Sequence, residues 1–211
     1  NIYNIKLIIS MRYNMSTEDT NIISQNIGAS SVVLGNAQAP AKHAIAIGAS
    51  PRTSRAVNEA AISIGQNQLA GRLSGNSILW AIAIGADSVS DGQASIALGQ
   101  NVIASAHQGV AIGQNSSVTE KGSVALGADS IANKPDIISV GKPGNERKVI
   151  NVAAGNITNI STEAINGQQL YAASERINLL ESKNTQLEGK VAILEKELAF
   201  LKKRLFDALN Y

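Results

Sequence analysis

The sequence lacks several residue types on which common sites and folds depend. Its 211 residues include no cysteine, which excludes a disulfide framework and any thiolate metal site. Only two histidines are present, so no histidine metal cluster is expected. Aromatic residues make up 3% of the chain, which is low for a globular core. These absences argue against a metalloprotein and against a conventional enzyme core.

Charge and hydropathy exclude two further classes of partner. The 18 basic and 16 acidic residues nearly cancel, so composition gives no argument for nucleic-acid binding. No apolar run approaches the roughly 18–20 residues of a membrane helix, and no membrane insertion by this chain is expected. Residues 1–27 lack the full pattern of a signal peptide and are expected to form a tail or docking segment.

A short phrase repeats along residues 28–148. In each repeat a glycine follows two aliphatic residues, which stand three and one positions before it and are nearly always separated by Ala or Ser. This alternation of period two predicts one short strand per repeat, and a spacing of about 14 residues predicts a solenoid of stacked coils. The glycines are separated by 13, 17, 20, 14, 14, 14 and 14 residues: Gly35, Gly48, Gly65, Gly85, Gly99, Gly113, Gly127 and Gly141.

The alternation also raises the question of which side chains fill the coils. We expect about two large aliphatic residues per coil to be buried, and the face of Ala and Ser to let another backbone approach closely. One thin solenoid then buries too little apolar surface to offset the entropy of ordering its residues. Several chains are therefore expected to pack solenoid against solenoid.

From Leu170 onward the apolar period changes to 3.5, a heptad pattern sustained over more than five heptads. Flanking charges of opposite sign, such as Arg176 and Glu181, favour a parallel alignment, and "RINLLE" (Arg176 to Glu181) resembles a motif of parallel trimers. Asn184 in the seam is interpreted as a device that sets register and oligomer state, or alternatively as a polar layer that holds water or an anion. The predicted trimer core contains Leu170, Ile177, Leu180, Asn184, Leu187, Val191, Leu194, Leu198, Leu201 and Leu205.

These segments together resemble one family. The "SVALGxxSxA" repeats are similar to the head of YadA-like trimeric autotransporter adhesins, and "NVAAGNITNISTEAINGQQLY" (Asn151 to Tyr171) resembles that family's neck. The resemblance implies a left-handed parallel β-roll head, an all-β unit, joined to a helical stalk in a parallel homotrimer. The expected organisation is a tail at 1–27, the head at 28–148, a neck at 149–171 and a coiled-coil stalk at 172–211.

The resemblance implies a surface adhesin that attaches a bacterium to host surfaces, extracellular-matrix protein or anionic glycan. The family usually has a long signal peptide and a β-barrel anchor, and this sequence shows neither. Two explanations stay open: a fragment of a longer anchored adhesin, or a fibre that uses the same module. The alternative function is therefore a tail-fibre or receptor-binding component of a bacteriophage or phage-like contractile particle.

No catalytic residue, cofactor site or metal site is identified in the sequence, and the protein is not expected to be an enzyme. The candidate ligand contacts lie where the 14-residue period is broken by longer repeats, because insertions in a solenoid form surface loops. Between Gly28 and Trp80 four basic residues face one acidic residue, a local net charge of +3. The candidates are Arg52, Arg55, Arg72 and Trp80; the alternative is that Trp80 caps the core of the roll and the arginines only aid solubility.

Overall fold

The computed structural model describes residues 28–48, 52–71 and 80–210 of the chain. Two compact units divide between Arg147 and Lys148. The first unit is called the head below, and the second is called the C-terminal unit. Each is described by itself.

The head is a parallel β-solenoid, as the 14-residue repeat predicts. Successive strands along the chain belong alternately to two sheets, so the odd-numbered strands form one sheet and the even-numbered strands form the other. Sheet 1 contains β1 (Val32–Gly35), β3 (Ile45–Gly48), β5 (Ile62–Gly65), β7 (Ile82–Ile84), β9 (Ile96–Leu98), β11 (Val110–Ile112), β13 (Val124–Leu126) and β15 (Ile138–Ser139). Sheet 2 contains β2 (Ala37–Gln38), β4 (Ser54–Ala56), β6 (Leu69–Ala70), β8 (Val89–Ser90), β10 (Ile103–Ala104), β12 (Ser117–Val118) and β14 (Ile131–Ala132).

Strand pairing keeps equivalent residues of successive coils in register. Ala111, for example, pairs with Ala97 on one side and with Ala125 on the other. The register continues across both longer repeats, where Ile47 pairs with Ile64 and Ile64 with Ile84. Residues 49–51 and 72–79, which belong to the two longer repeats, lie outside the described residues.

The interior of the solenoid is lined by small side chains, and the expectation that large aliphatic residues fill it is wrong. The middle residue of each strand in sheet 1 points inward, and Ala83, Ala97, Ala111 and Ala125 are completely buried. The aliphatic residues on either side of it are only half-buried or exposed. The reason is steric: strands of two to four residues enclose a narrow lumen, which is filled mostly by Ala and Ser, by an occasional Val and, in one described coil, by Gln68. The inward residues of sheet 2 follow the same rule: Ala56, Ala70, Ser90, Ala104, Val118 and Ala132.

Buried serines are accommodated because their hydroxyl groups find partners within the coil. The hydroxyl groups of Ser54 and Ser63 lie 2.7 Å apart, and those of Ser90 and Ser95 lie 2.6 Å apart. Ser116 donates to the carbonyl oxygen of Gly113 over 2.7 Å. A polar lumen of this kind is stable because most of its hydroxyl groups are hydrogen-bonded.

Arg147 closes the C-terminal end of the head, where no further coil stacks on the last one. Its guanidinium group donates to the hydroxyl oxygen of Ser130 over 3.0 Å and to the carbonyl oxygen of Val140 over 2.7 Å. The same group also donates to the carbonyl oxygen of Ala128. These acceptors lie in the last coils, so the arginine supplies hydrogen bonds that a following coil would otherwise provide.

The C-terminal unit consists of an irregular segment, 148–166, followed by one long helix, α1 (Gly167–Leu209). The helix begins at a capping box: Asn166 accepts from the backbone N–H of Gln169, and the Gln169 side chain accepts from the backbone N–H of Asn166. None of its residues is buried within the single chain. Across the part of the chain that the structure covers, no helix combines the length and apolarity needed to cross a bilayer. The predicted long helix after a β-solenoid is confirmed.

Candidate functional site

Five described coils turn their first corner, from sheet 1 to sheet 2, through a polar residue in the left-handed conformation. Asn and Asp suit this position, because both tolerate positive φ and bond to neighbouring groups. The φ angles at this position lie between 56° and 58° at Asn67, Asp87, Asn101, Asn115 and Asp129.

These corner side chains form a polar ridge along the head. Asn101 donates to Asn115 over 2.9 Å, and Asn115 donates to Asp129 over 3.2 Å. Gln114 donates to Gln100 over 2.9 Å beside them. The ridge is thus a chain of amide groups that bond to one another from coil to coil, with a carboxylate at Asp129.

At Asp87 the ridge also includes a positive charge, because an arginine side chain bonds to the carboxylate. The guanidinium group of Arg52 donates to Oδ1 of Asp87 over 3.2 Å, and the side chain of Asn67 donates to the same oxygen over 2.6 Å. The side chain of Arg52 remains 62% exposed. One carboxylate oxygen therefore receives two donors while much of the arginine still faces solvent.

Arg55 lies close to this ion pair, on the outward face of β4 in sheet 2. Its neighbours in the register of that sheet are Gln38 and Leu69, neither of which is acidic. Arg52 and Arg55 both border an open groove of about 470 Å³, called the arginine groove below. Its lining includes Arg52, Thr53, Arg55, Asn67, Leu69 and Val89.

Trp80 lies at the second corner, where the chain returns from sheet 2 to sheet 1. Its side chain is 57% exposed, so the alternative that it caps the core of the roll is wrong. Its backbone has a φ of 62° and donates to the carbonyl oxygen of Glu59 over 3.3 Å. The structure thus brings Arg52 and Arg55 together, places Trp80 at the opposite corner, and leaves Arg72 outside the described residues.

The second corner contains a further column of left-handed residues that the sequence analysis did not recognise. These residues stand five positions before the repeat glycine. Gly122 and Asp136 could have indicated the column in the sequence, because both residue types favour positive φ. The column contains Ser30, His43, Ala60, Trp80, Ala94, Gln108, Gly122 and Asp136.

The two histidines do not form a site. Both are exposed at corners of the solenoid. His43 faces Glu59 across 3.7 Å, and His107 lies several coils away. Within residues 28–48, 52–71 and 80–210, no group of three or more His, Asp or Glu side chains could hold a metal ion.

The predicted trimer-core residues all lie on α1, and in the single chain all of them face solvent. Leu187 is 57% exposed and Leu194 is 62% exposed. Asn184 donates to the carboxylate of Glu188 over 2.9 Å, one turn further along the helix. An apolar seam of this length on one exposed helix is suited to packing against other helices.

Comparisons with known proteins agree with this architecture. The family model of the YadA head domain repeat matches residues 27–50, 81–101 and 104–130. A segment of 49 residues is 47% identical to an autotransporter adhesin, BtaE, of Brucella suis. That segment covers 23% of this chain and only 7% of the adhesin, so the chain spans a small part of that relative.

One solved structure supports the same resemblance. The collagen-binding domain of the Yersinia adhesin YadA is 28% identical, with a TM-score of 0.59 over 70% of this chain and 76% of that domain. The C-terminal YadA-like domain of a Burkholderia pseudomallei protein is 34% identical, with a TM-score of 0.38 over 50% of this chain and 57% of that one.

Proposed function

Because this chain carries the head repeats of the YadA-like adhesins, a non-enzymatic family, we propose that it is a trimeric adhesin of a bacterial cell surface. Its head attaches the cell to the extracellular matrix of a host. The observation that carries the proposal is the match to the YadA collagen-binding domain over 70% of the chain. The activity is binding, with no bond made or broken.

The outward face of sheet 1 supports assembly of several chains. Two columns of aliphatic side chains run along it, and Leu34, Leu98 and Leu126 are 54%, 41% and 46% exposed. The outward column of sheet 2 is instead interrupted by polar residues such as Gln38 and Ser117. Burial of apolar area stabilises an interface by about 25 cal/mol per Å², so sheet 1 faces the partner chains in the proposed trimer.

Sedimentation equilibrium tests the number of chains. Three copies of the 22.0 kDa chain give about 66 kDa, and a mass of one or two chains at micromolar concentration would contradict the trimer. Leu98→Asp should lower the melting temperature by about 10 °C or more, because it places three carboxylates in the interface. Ile103→Asp, an equally exposed position (44%) on sheet 2, serves as the matched control and should change little.

Collagen is the ligand to test first, because the Yersinia domain that this head resembles is a collagen-binding domain. The purified trimer should bind immobilised native collagen saturably and should not bind albumin on the same surface. Heat-denatured collagen distinguishes recognition of the triple helix from recognition of its sequence. A trimer that binds neither collagen nor any other matrix protein would contradict the adhesin function.

A further inference from the structure

We propose that the arginine groove is a binding site for the acidic groups of a polysaccharide, that is, for sulfate or carboxylate groups on a sugar chain. The inference rests on the proposed adhesin function and assigns it a second class of ligand. It places recognition on the outward face of sheet 2, whereas the proposed trimer packs through sheet 1. The site is therefore open to solvent in each of the three chains.

Arg55 supplies the uncompensated charge of the groove. It is exposed in the middle of β4 and forms no ion pair with any residue within the described ranges. Its register neighbours Gln38 and Leu69 are neutral, so no carboxylate stands beside it in the sheet. A guanidinium group in this state offers a planar pair of N–H donors, which matches the two oxygens of a carboxylate or sulfate.

Arg52 supplies a second cation at the edge of the same groove. One of its nitrogens donates to Asp87 over 3.2 Å, and the side chain is 62% exposed, so its other N–H groups remain available. Asp87 fixes the direction of this arginine and balances one positive charge. The groove therefore keeps a net charge of +1 from Arg52, Arg55 and Asp87, enough to favour an anion and weak enough to respond to salt.

The remaining lining suits a sugar ring. Leu69 and Val89 are half-buried and offer apolar surface to the C–H faces of a ring, while Thr53 and Asn67 offer polar atoms to hydroxyl groups. The volume of about 470 Å³ lies within the range of small-ligand sites, about 300–1,000 Å³. Because the groove is open, it fits a segment of a long chain, and three copies on one trimer add avidity.

Asp87 competes with the ligand for Arg52, and this competition yields a distinctive test. The equivalent corner position holds Asn in other coils, at Asn67, Asn101 and Asn115, so Asp87→Asn preserves the backbone conformation. The substitution removes a carboxylate that repels an anionic ligand and releases Arg52. Asp129→Asn makes the same change of charge at the same kind of corner, but within the described residues no arginine bonds to Asp129, so it serves as the matched control.

The binding experiment uses the full-length trimer and three polymers: heparin, dextran sulfate and polygalacturonate, with neutral dextran as the blank. Affinity for heparin should fall as salt rises. The double variant Arg52→Gln, Arg55→Gln should weaken heparin binding by about tenfold, since it removes both charged donors from each site. The double variant Lys121→Gln, Lys142→Gln loses the same charge elsewhere on the head and should change affinity less than about twofold. Thermal melting confirms that all variants remain folded.

The outcomes separate this inference from the proposed function. Asp87→Asn should strengthen heparin binding by about two- to fivefold, whereas Asp129→Asn should not. Binding of dextran sulfate or of polygalacturonate tells which acidic group is recognised. The inference is overturned if the parent binds none of the three polyanions, or if the arginine and lysine variants bind heparin alike. Collagen binding that persists in either case leaves the adhesin function in place.

Discussion

At the first corner of five described coils, the repeat glycine adopts a backbone conformation that an L-residue reaches only with strain. Gly113 has a φ of 119°, well outside the left-handed helical region at about 57° that Asn and Asp tolerate. A Cβ atom there would lie 2.4 Å from the carbonyl carbon of Gly127 in the next coil. Two residues later Asn115 turns the same corner at a φ of 57°. One corner thus contains one position that requires glycine and one that accepts any residue suited to positive φ.

Gly113→Ala should therefore destabilise the head by about 1–3 kcal/mol from backbone strain, with the clash against Gly127 added to this. Asn115→Gly is the matched control and should change stability by less than about 1 kcal/mol, since it keeps the backbone and loses only exposed hydrogen bonds. Thermal unfolding followed by circular dichroism measures both. Equal melting temperatures for the two variants would contradict this account.

The strands of the head were predictable from the sequence, but the face of each strand that lies in the interior was not. The alternation of Ile96, Ala97 and Leu98 showed that the two faces of a strand differ, and register glycines placed the strands correctly. It did not show which face is interior, because that is decided by the width of the lumen, a property of the closed coil. The arginine groove was predictable only in part, because the separation of Trp80 from the arginines depends on which corner each residue occupies.

At the scale of elements, the irregular segment before α1 is held by a carboxylate. Glu163 accepts from the backbone N–H and from the side-chain amide of Asn156, both over 2.9 Å. The backbone N–H of Asn156, with its side-chain amide second, lowers the pKa of Glu163 below its ordinary value of 4.5. A lowered pKa means that the contact contributes fully above about pH 4.5 and is lost as pH falls through the value in the folded chain.

Hydrogen exchange at the amide of Asn156 should then be protected above pH 4.5 and lose protection as the pH falls through the lowered pKa of Glu163, after correction for intrinsic exchange. Glu163→Gln removes the ionisation and should lose most of this pH dependence. Glu175→Gln, on the exposed surface of α1, is the control and should behave as the parent. Protection that stays constant down to pH 3 would show that the charge of Glu163 plays no part.

Arg147 gives a second prediction at this scale, because it supplies hydrogen bonds at the open end of the solenoid. Arg147→Ala should destabilise the head by about 1–2 kcal/mol, the range for hydrogen bonds from a charged donor that is partly exposed. Arg147→Lys should recover only part of this loss, because an ammonium group lacks the planar set of N–H donors with which the guanidinium group reaches acceptors on separate coils. Lys142→Ala removes a nearby cation without these contacts and should have no effect. A harmless Arg147→Ala would show that the last coil needs no cap.

For the whole molecule, the seam of α1 combines apolar residues with one amide. Asn184→Ile should raise the melting temperature of the proposed trimer while broadening its distribution of oligomeric states, because a polar core residue selects one state at a cost in stability. Sedimentation velocity alongside thermal melting measures both effects. Thr185→Ile, adjacent but outside the seam, is the control. A variant that is less stable than the parent would indicate that Asn184 makes a stabilising contact in the trimer.

The direction of the hydrogen bonds in the head has a mechanical consequence. Coils stack at about 4.8 Å, and the bonds between them lie along the stacking axis, so a pull along that axis loads them one coil at a time. Each coil that opens releases 14 residues, roughly 45–50 Å of extended chain. In the proposed adhesin, a cell dragged by flow would then lengthen its tether in steps of nearly ten times the original spacing. Each opening of a coil dissipates work before the full load reaches the binding contact at the far end.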